Sequence, residues 1–334
     1  MTESMDQIKV AFIGDPARTK KYLPDTEFAR SAKIVTIPVG AAEDEVISKA
    51  EGAVAIVADA ISKVTRREME SLPTLKIVES EGAAYNKIDV EAAEELGIYV
   101  CNQKGANAKA VAEHTVMLML ALLRSLAPGY ESVLAGRQIE TKMRLMVSGI
   151  RELSEVKVGL VGFGAIAKET ARLLVPFASE TAYYSRTRAD AGAEERYGVS
   201  YEPLFDLLSS CDIISMHVPV TPQTEGMCGG EFFDAMKDGS YFVNTARGDL
   251  VDNEALASAL ISGKLAGAGL DTVAPEPVTA DNVLVNLPPE VQSRVIITPH
   301  IAGVTSGFFA RAHRAIWENI ESVVNGMEPR NRVV

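Results

Sequence analysis

The sequence predicts an α/β protein of two doubly wound parallel-sheet domains, one inserted in the other, and three observations carry that prediction. Short apolar runs alternate with helix-like segments along almost the whole chain, as in a parallel sheet covered by helices. The alternation starts afresh at Val158-Gly-Leu-Val-Gly-Phe-Gly-Ala-Ile-Ala-Lys168, where an apolar strand runs into a glycine-rich turn that opens a helix. At 334 residues the chain is too long for one compact core.

In the first half the apolar runs are Ile8 to Gly14, Ile34 to Pro38, Val54 to Asp59, Leu75 to Val78 and Ile98 to Asn102. Gly105-Ala-Asn107 then leads into Ala108 to Leu126, rich in Ala, Leu and Met and long enough to be a strut between domains. The stretch Leu126 to Ile150, with glycines and mixed charges, is too long for a simple connection. After the glycine-rich turn the runs resume at Thr181 to Ser185, Val199 to Tyr201, Ile213 to Val218, Tyr241 to Asn244, Ala268 to Leu270 and Val295 to Thr298. Two sheets fit this count better than one very wide sheet. Gly303 to Asn325 reads as a second long helix, after which Pro329 to Val334 can return to the first domain. The expected division is residues 1–104 with 302–334 as a discontinuous, flavodoxin-like domain, and 105–301 as a Rossmann domain inserted in it.

Gly162, Gly164 and Ala167 match the dinucleotide fingerprint: a tight turn, a close backbone approach to a pyrophosphate, and a small residue that seats helix on strand. Amides at the helix start face the phosphates. Such a pattern is weak alone, but Glu169 to Leu174 continues it as an amphipathic helix and Glu180 to Ser185 as a strand, which completes a βαβ unit. About 20 positions beyond the first glycine, an NAD enzyme carries an acid for the ribose hydroxyls. Here Tyr184 is followed by Ser185-Arg-Thr-Arg188. Ser185 removes the repulsion of a ribose phosphate, and Arg186 or Arg188, flanking Thr187, can pair with it. NADP(H) is therefore the expected cofactor, with NAD(H) possible; a solvated basic turn is the bland alternative.

Three motifs end or follow strands of the second half: Val243-Asn-Thr-Ala-Arg-Gly-Asp249, Leu270-Asp-Thr-Val-Ala-Pro-Glu-Pro277 and Ile297-Thr-Pro-His-Ile-Ala-Gly303. Ligands of open α/β sheets gather beyond the carboxyl ends of strands, so Arg247, Glu276 and His300 are expected to converge there. Each alone has a plain structural explanation: a surface ion pair, a solvated loop charge, a helix cap. Together they make a mechanism. A guanidinium holds a carboxylate through two parallel hydrogen bonds. An imidazole gives or takes the proton at the oxygen while a cofactor carries the hydride. A carboxylate bonded to that imidazole orients it and favours imidazolium.

Composition narrows the function classes. A net charge of −12 and no long Lys/Arg run oppose nucleic-acid binding. Cys101, Cys211 and Cys228 are odd in number without C-x-x-C spacing, and read as buried thiols of a reducing compartment. Nothing suggests a metal site. The polar start, Met1 to Gln7, and the lack of a membrane-length apolar span make a cytoplasmic location and no membrane partner the expectation.

These residues resemble the D-isomer-specific 2-hydroxyacid dehydrogenases over nearly the whole chain, and the cofactor motif is most similar to NADPH-dependent glyoxylate/hydroxypyruvate reductases. Val111-Ala-Glu-His114, His217-Val-Pro219 with Thr221-Pro222 and Thr224, and Asn86-Lys-Ile-Asp89 add to the likeness. The resemblance implies that Arg247, Glu276 and His300 are the catalytic trio. It implies cofactor contacts at Gly162, Phe163, Gly164, Ala165 and Ile166 by the pyrophosphate, and at Asp271 near the nicotinamide carboxamide. Further contacts are implied at Ser185, Arg186, Thr187, His217, Val218, Pro219, Thr224, Thr245, Ala246 and Ala302. Substrate contacts are implied for Ala83, Ala84, Arg247 and His300, the loop Gly82-Ala-Ala84 offering backbone amides to a carboxylate. The stretch Leu126 to Ile150 resembles the family's dimer arm, so a C2 homodimer is expected.

The chain departs from the family at that loop, where Gly-x-Gly is usual, and at Ser80-Glu-Gly82, where phosphoglycerate-type members resemble Arg-x-Gly. A phosphorylated substrate is therefore disfavoured, and a small unphosphorylated 2-oxo acid or D-2-hydroxy acid is expected. The alternatives are a dinucleotide-sensing, co-repressor-like binding protein and a phosphoglycerate-type dehydrogenase; formate oxidation is opposed by Glu276 where Gln is the pattern. His114 and His217 read as structural, His313 as a polar-face helix residue, and Trp317, Phe308 and Phe309 as core or interface.

Overall fold

The computed structural model describes residues 7–59 and 61–334. It divides into two compact units, Met1–Asn107 with Thr305–Val334, and Ala108–Val304. Each boundary falls three residues beyond the expected one, because the long helix of the second unit begins only at Ala108 and Thr305 caps the helix that follows.

In the first unit five parallel strands, β1 (Lys9–Ile13), β2 (Lys33–Ile37), β3 (Ala55–Ala58), β4 (Ile77–Ser80) and β5 (Tyr99–Cys101), lie in the order β2-β1-β3-β4-β5. That is the flavodoxin-like order, with its switch point between β1 and β3. Both faces are covered, so alternate residues feed two cores. Ala11 and Ile13 join Ile56, Val78 and Val100 on one side, while Val10 and Phe12 join Val57 and the side chains of Ile316, Trp317 and Ile320 on the other. The last three belong to the helix Ser306–Val324. The chain end then returns to β5, where the Val333 amide donates to the Val100 carbonyl at 2.7 Å.

His313 is not a polar-face residue. It is fully buried, with Nε2 2.7 Å from Glu81 Oε1 and its ring stacked on Phe12. The helical period placed it on the helix but could not see that the sheet carries an acid to meet it.

The second unit holds β6 (Lys157–Val161), β7 (Glu180–Tyr184), β8 (Ser200–Tyr201), β9 (Ile213–Met216), β10 (Ser240–Asn244), β11 (Leu265–Leu270) and β12 (Val295–Ile297). All pair in parallel in the order β12-β11-β10-β9-β6-β7-β8, the Rossmann order extended by one strand. The helix Ala108–Leu123 is apolar nearly all round and lies against this sheet. Its close approach needs glycine in β11: a Cβ on Gly269 would lie 3.1 Å from Leu118 Cβ. Leu126 to Ile150 folds as two further helices, Leu126–Leu134 and Gln138–Ser148, whose large apolar side chains Leu134, Ile139, Met146 and Val147 are each at least 67% exposed.

Candidate functional site

Two neighbourhoods of the second unit hold the residues singled out above. The first is the turn after β6. Gly162 has φ +100°, and a Cβ there would sit 2.7 Å from the His217 carbonyl oxygen, so no other residue fits. A Cβ on Gly164 would meet nothing within 4 Å, which leaves open space above the first amides of the helix Ala165–Leu174. Ala165 and Ile166 open that helix, and Ala167, fully buried, seats it. These features fit a dinucleotide: donors, a positive helix end and room for a pyrophosphate. Phe163 stacks on Tyr183 at 4.1 Å between ring centres.

Beyond β7 the two arginines part company. Arg188 grips Glu194 through Nε and Nη2 at 2.8 and 2.9 Å. Arg186 is exposed and forms no ion pair among the described residues. The Ser185 hydroxyl donates to the Thr187 carbonyl within the same turn. After β9, His217 bonds Ser215 Oγ at 3.0 Å, and burial pushes its pKa down to about 3, so the ring is neutral. Val218 lies against Gly162, and Thr224 Oγ1 donates to the Pro219 carbonyl at 2.6 Å, closing that loop on itself.

The second neighbourhood is formed by the carboxyl ends of β10, β11 and β12, which are adjacent in the sheet and deliver Arg247, Glu276 and His300 respectively. Asn244 shapes the first turn, its Oδ1 accepting from the Ala246 amide and its Nδ2 donating to the Arg247 carbonyl. Thr245 is buried and bonds Thr115 at 2.8 Å. The half-buried Arg247 uses Nη1 on the Ala246 carbonyl at 2.6 Å and forms no ion pair among the described residues. Gly248 brings this turn against the next: its Cβ would lie 2.3 Å from the Ala274 nitrogen.

His300 Nδ1 lies 2.8 Å from Glu276 Oε1, with 46% and 43% of the two side chains exposed. The pairing leaves Nε2 as the ring nitrogen available to a ligand. His300 also has φ +53°, in the left-handed region that costs a side-chain-bearing residue about 1–2 kcal/mol. Asp271 holds it there. Its buried carboxylate accepts from Thr298 Oγ1 at 2.5 Å and the Ile301 amide at 2.9 Å on one oxygen, and from the Ala302 amide at 2.8 Å on the other. The His300 amide donates to the Asp271 carbonyl at 2.9 Å, and His114 Nε2 reaches Thr298 at 3.0 Å. Asp271 and His114 thus fix the loop that carries His300, a relation invisible in sequence because its members lie more than 150 residues apart at the extremes.

In the first unit the loop Gly82-Ala83-Ala84 has its carbonyls turned inward, accepting from the Gln103 amide at 2.8 Å, Asn102 Nδ2 at 2.8 Å and Ser80 Oγ at 2.5 Å in turn. Among the described residues the amides of Ala83 and Ala84 have no protein acceptor, an arrangement suited to an anion.

A model of the NAD binding domain of the D-isomer specific 2-hydroxyacid dehydrogenases matches residues 116–302, more than half of the chain. The chain belongs to the D-isomer specific 2-hydroxyacid dehydrogenases. It is 33% identical to the glyoxylate reductase of Thermococcus litoralis over 86% of this chain and 85% of that protein. With the D-3-phosphoglycerate dehydrogenase of Archaeoglobus fulgidus it shares 34% identity over 90% of its own length, spanning 55% of that protein. The D-mandelate dehydrogenase of Rhodotorula graminis superposes with a TM-score of 0.82 at 28% identity, covering 98% of both chains. The protein is thus an oxidoreductase of this dehydrogenase family with an NAD-binding Rossmann domain, in the two-sheet α/β fold that its sequence predicts.

Proposed function

We propose that this dehydrogenase reduces a small, unphosphorylated 2-oxo acid to its D-2-hydroxy acid with NADPH. The observation that carries the reading is the exposed His300–Glu276 pair at 2.8 Å, on a strand end two places along the sheet from the one that delivers Arg247. The bound dinucleotide supplies the hydride. Arg247, with no carboxylate partner among the described residues, binds the carboxylate of the substrate as a planar fork. His300 Nε2 gives its proton to the carbonyl oxygen as the carbon is reduced, and Glu276 on Nδ1 keeps the ring oriented.

Three finer features belong to this proposal. The preference for NADPH is supported by Arg186, which has no ion-pair partner among the described residues, and by the lack of an acid in Ser185-Arg-Thr-Arg188. An unphosphorylated substrate is supported by Ser80, which stands where phosphoglycerate-type members carry an arginine, and by the added carboxylate of Glu81 beside it, which Arg18 already holds at 2.6 Å. A homodimer is supported by the large apolar side chains that the helices Leu126–Leu134 and Gln138–Ser148 leave exposed, Leu126, Leu134, Ile139, Met146 and Val147 among them. We place the enzyme in the cytoplasm, because its three cysteines are free, buried thiols and burial pushes Cys211 up to about 11. Initial rates with glyoxylate, hydroxypyruvate, pyruvate and bulkier 2-oxo acids, each with NADPH and NADH, test the reading. Turnover preferring NADPH is expected; a tenfold preference for NADH, or no turnover of any 2-oxo acid, overturns it.

A further inference from the structure

Glu276 must stay 2.8 Å from His300 on a segment with few anchors. Pro275 and Pro277, on either side of it, have no amide hydrogen. Among the described residues the backbone of residues 274–277 takes part in hydrogen bonds at one atom alone, the Ala274 carbonyl oxygen. That oxygen accepts twice, from Asn253 Nδ2 at 2.6 Å and from Asn282 Nδ2 at 3.0 Å, which fills both of its lone pairs. Asn282 is 9% exposed and also caps the turn Val283–Val285 through Oδ1, so its own place is set by that turn. Asn253 opens the helix Asn253–Ile261, whose preceding Asp252 accepts from the Glu254 and Ala255 amides. The same stretch of chain, six residues earlier, carries Arg247.

We propose that Asn253 is a positioning residue for the reaction: its amide pins the Ala274 carbonyl and so holds Glu276 in register with His300, tying that loop to the segment that presents Arg247. The inference rests on the acid–base reading of Glu276 and His300. Asn253 touches neither substrate nor cofactor and acts through Glu276. An amide is the group that does this, since an aspartate of the same shape would oppose a carboxylate oxygen to the carbonyl it should bind.

The experiment compares Asn253→Ala and Asn253→Asp, alone and combined with Glu276→Gln, in the full-length enzyme. It reads kcat and KM for glyoxylate, NADPH affinity by nucleotide fluorescence, and the thermal midpoint. Asn253→Ala is expected to lower kcat about five- to tenfold, as the loss of one hydrogen bond allows, with NADPH affinity unchanged. Asn253→Asp, isosteric and lacking the donor, is expected to do the same or more. Once Glu276 has been neutralised its register no longer matters, so adding Asn253→Ala to Glu276→Gln should cost less than about twofold further. The same fold-loss in both backgrounds, or a parental kcat in both Asn253 variants, overturns the proposal while leaving the acid–base pair standing. A parental kcat in Glu276→Gln alone overturns the acid–base reading, and this inference with it.

Discussion

The two units each contain a histidine bonded to a glutamate at almost the same distance, and the pairs differ in nearly everything else. In the Rossmann unit His300 and Glu276 are 2.8 Å apart and about half exposed, on loops beyond strand ends. In the five-stranded unit His313 and Glu81 are 2.7 Å apart, 0% and 7% exposed, on a helix and on the residue just after β4. Arg18 adds a second partner to Glu81 and a link to Asp59. The identity of the side chains and their separation do not distinguish the pair proposed to react from the one shut in the core. Access does. Each histidine keeps one ring nitrogen uncommitted, but that of His313 is buried away from any ligand, whereas that of the half-exposed His300 can be reached.

The sharpest way to break this comparison is to remove each imidazole. His300→Ala should lower kcat about 10²–10⁴-fold, the usual contribution of a placed acid, with the fold and NADPH binding intact. Near-parental turnover would mean that the exposed pair is idle.

His313→Ala should do the converse. Deleting one partner of a buried pair costs about 3–5 kcal/mol, and the low end is expected because Arg18 still faces Glu81. A denaturant midpoint unchanged from the parent would show that the buried pair supports nothing, and a kcat lost as severely as in His300→Ala would erase the distinction.

The arginines after β7 extend the contrast, since Arg188 is bound to Glu194 and Arg186 has no ion-pair partner among the described residues. Arg186→Ala should weaken NADPH by about 1.5–3 kcal/mol, the worth of a charge-assisted contact, and leave NADH nearly unaffected. Equal losses for both cofactors would assign Arg186 some other role.

A pH-dependent effect on stability concerns Glu79, fully buried in β4 between Asn319 Nδ2 at 2.7 Å and Gln103 Nε2 at 3.0 Å. Burial pushes its carboxyl up from 4.5 to about 8, so the folded protein keeps a proton that the unfolded chain sheds. Stability therefore falls as pH rises between about 4.5 and 8, by at most about 1.4 kcal/mol per pH unit, and levels off above. Glu79→Gln, fixed neutral, should flatten that slope in urea titrations at pH 5.5 and 7.5. A slope unchanged by the substitution would place the proton elsewhere.

Much of this architecture is legible from the residues in order. Apolar runs located the twelve strands among the described residues, most directly central ones such as β3 and β9, since a strand buried on both faces must be apolar along its length, a property of consecutive residues. Gly162 announced its turn because φ +100° beside the His217 carbonyl admits no side chain. The ends of helices were less legible. The long helix stops at Leu123, three residues short of expectation, where Ser125 turns left-handed to start the next helix.

The order of residues was enough for the α/β class and for which turns could hold an Arg, a Glu and a His beyond strands, since each follows from spacing within a few residues, while the family showed in the likeness of motifs spread along the whole chain. Tertiary structure alone decided which histidine is shut in and which is open, that Arg188 is taken and Arg186 is not, and that Asp271 spends both oxygens on the His300 loop. Those outcomes depend on partners brought together from afar, 24 residues apart for His300 and Glu276 and 232 for His313 and Glu81. Local periodicity carries no information about such distances, because burial and pairing are properties of the packed molecule.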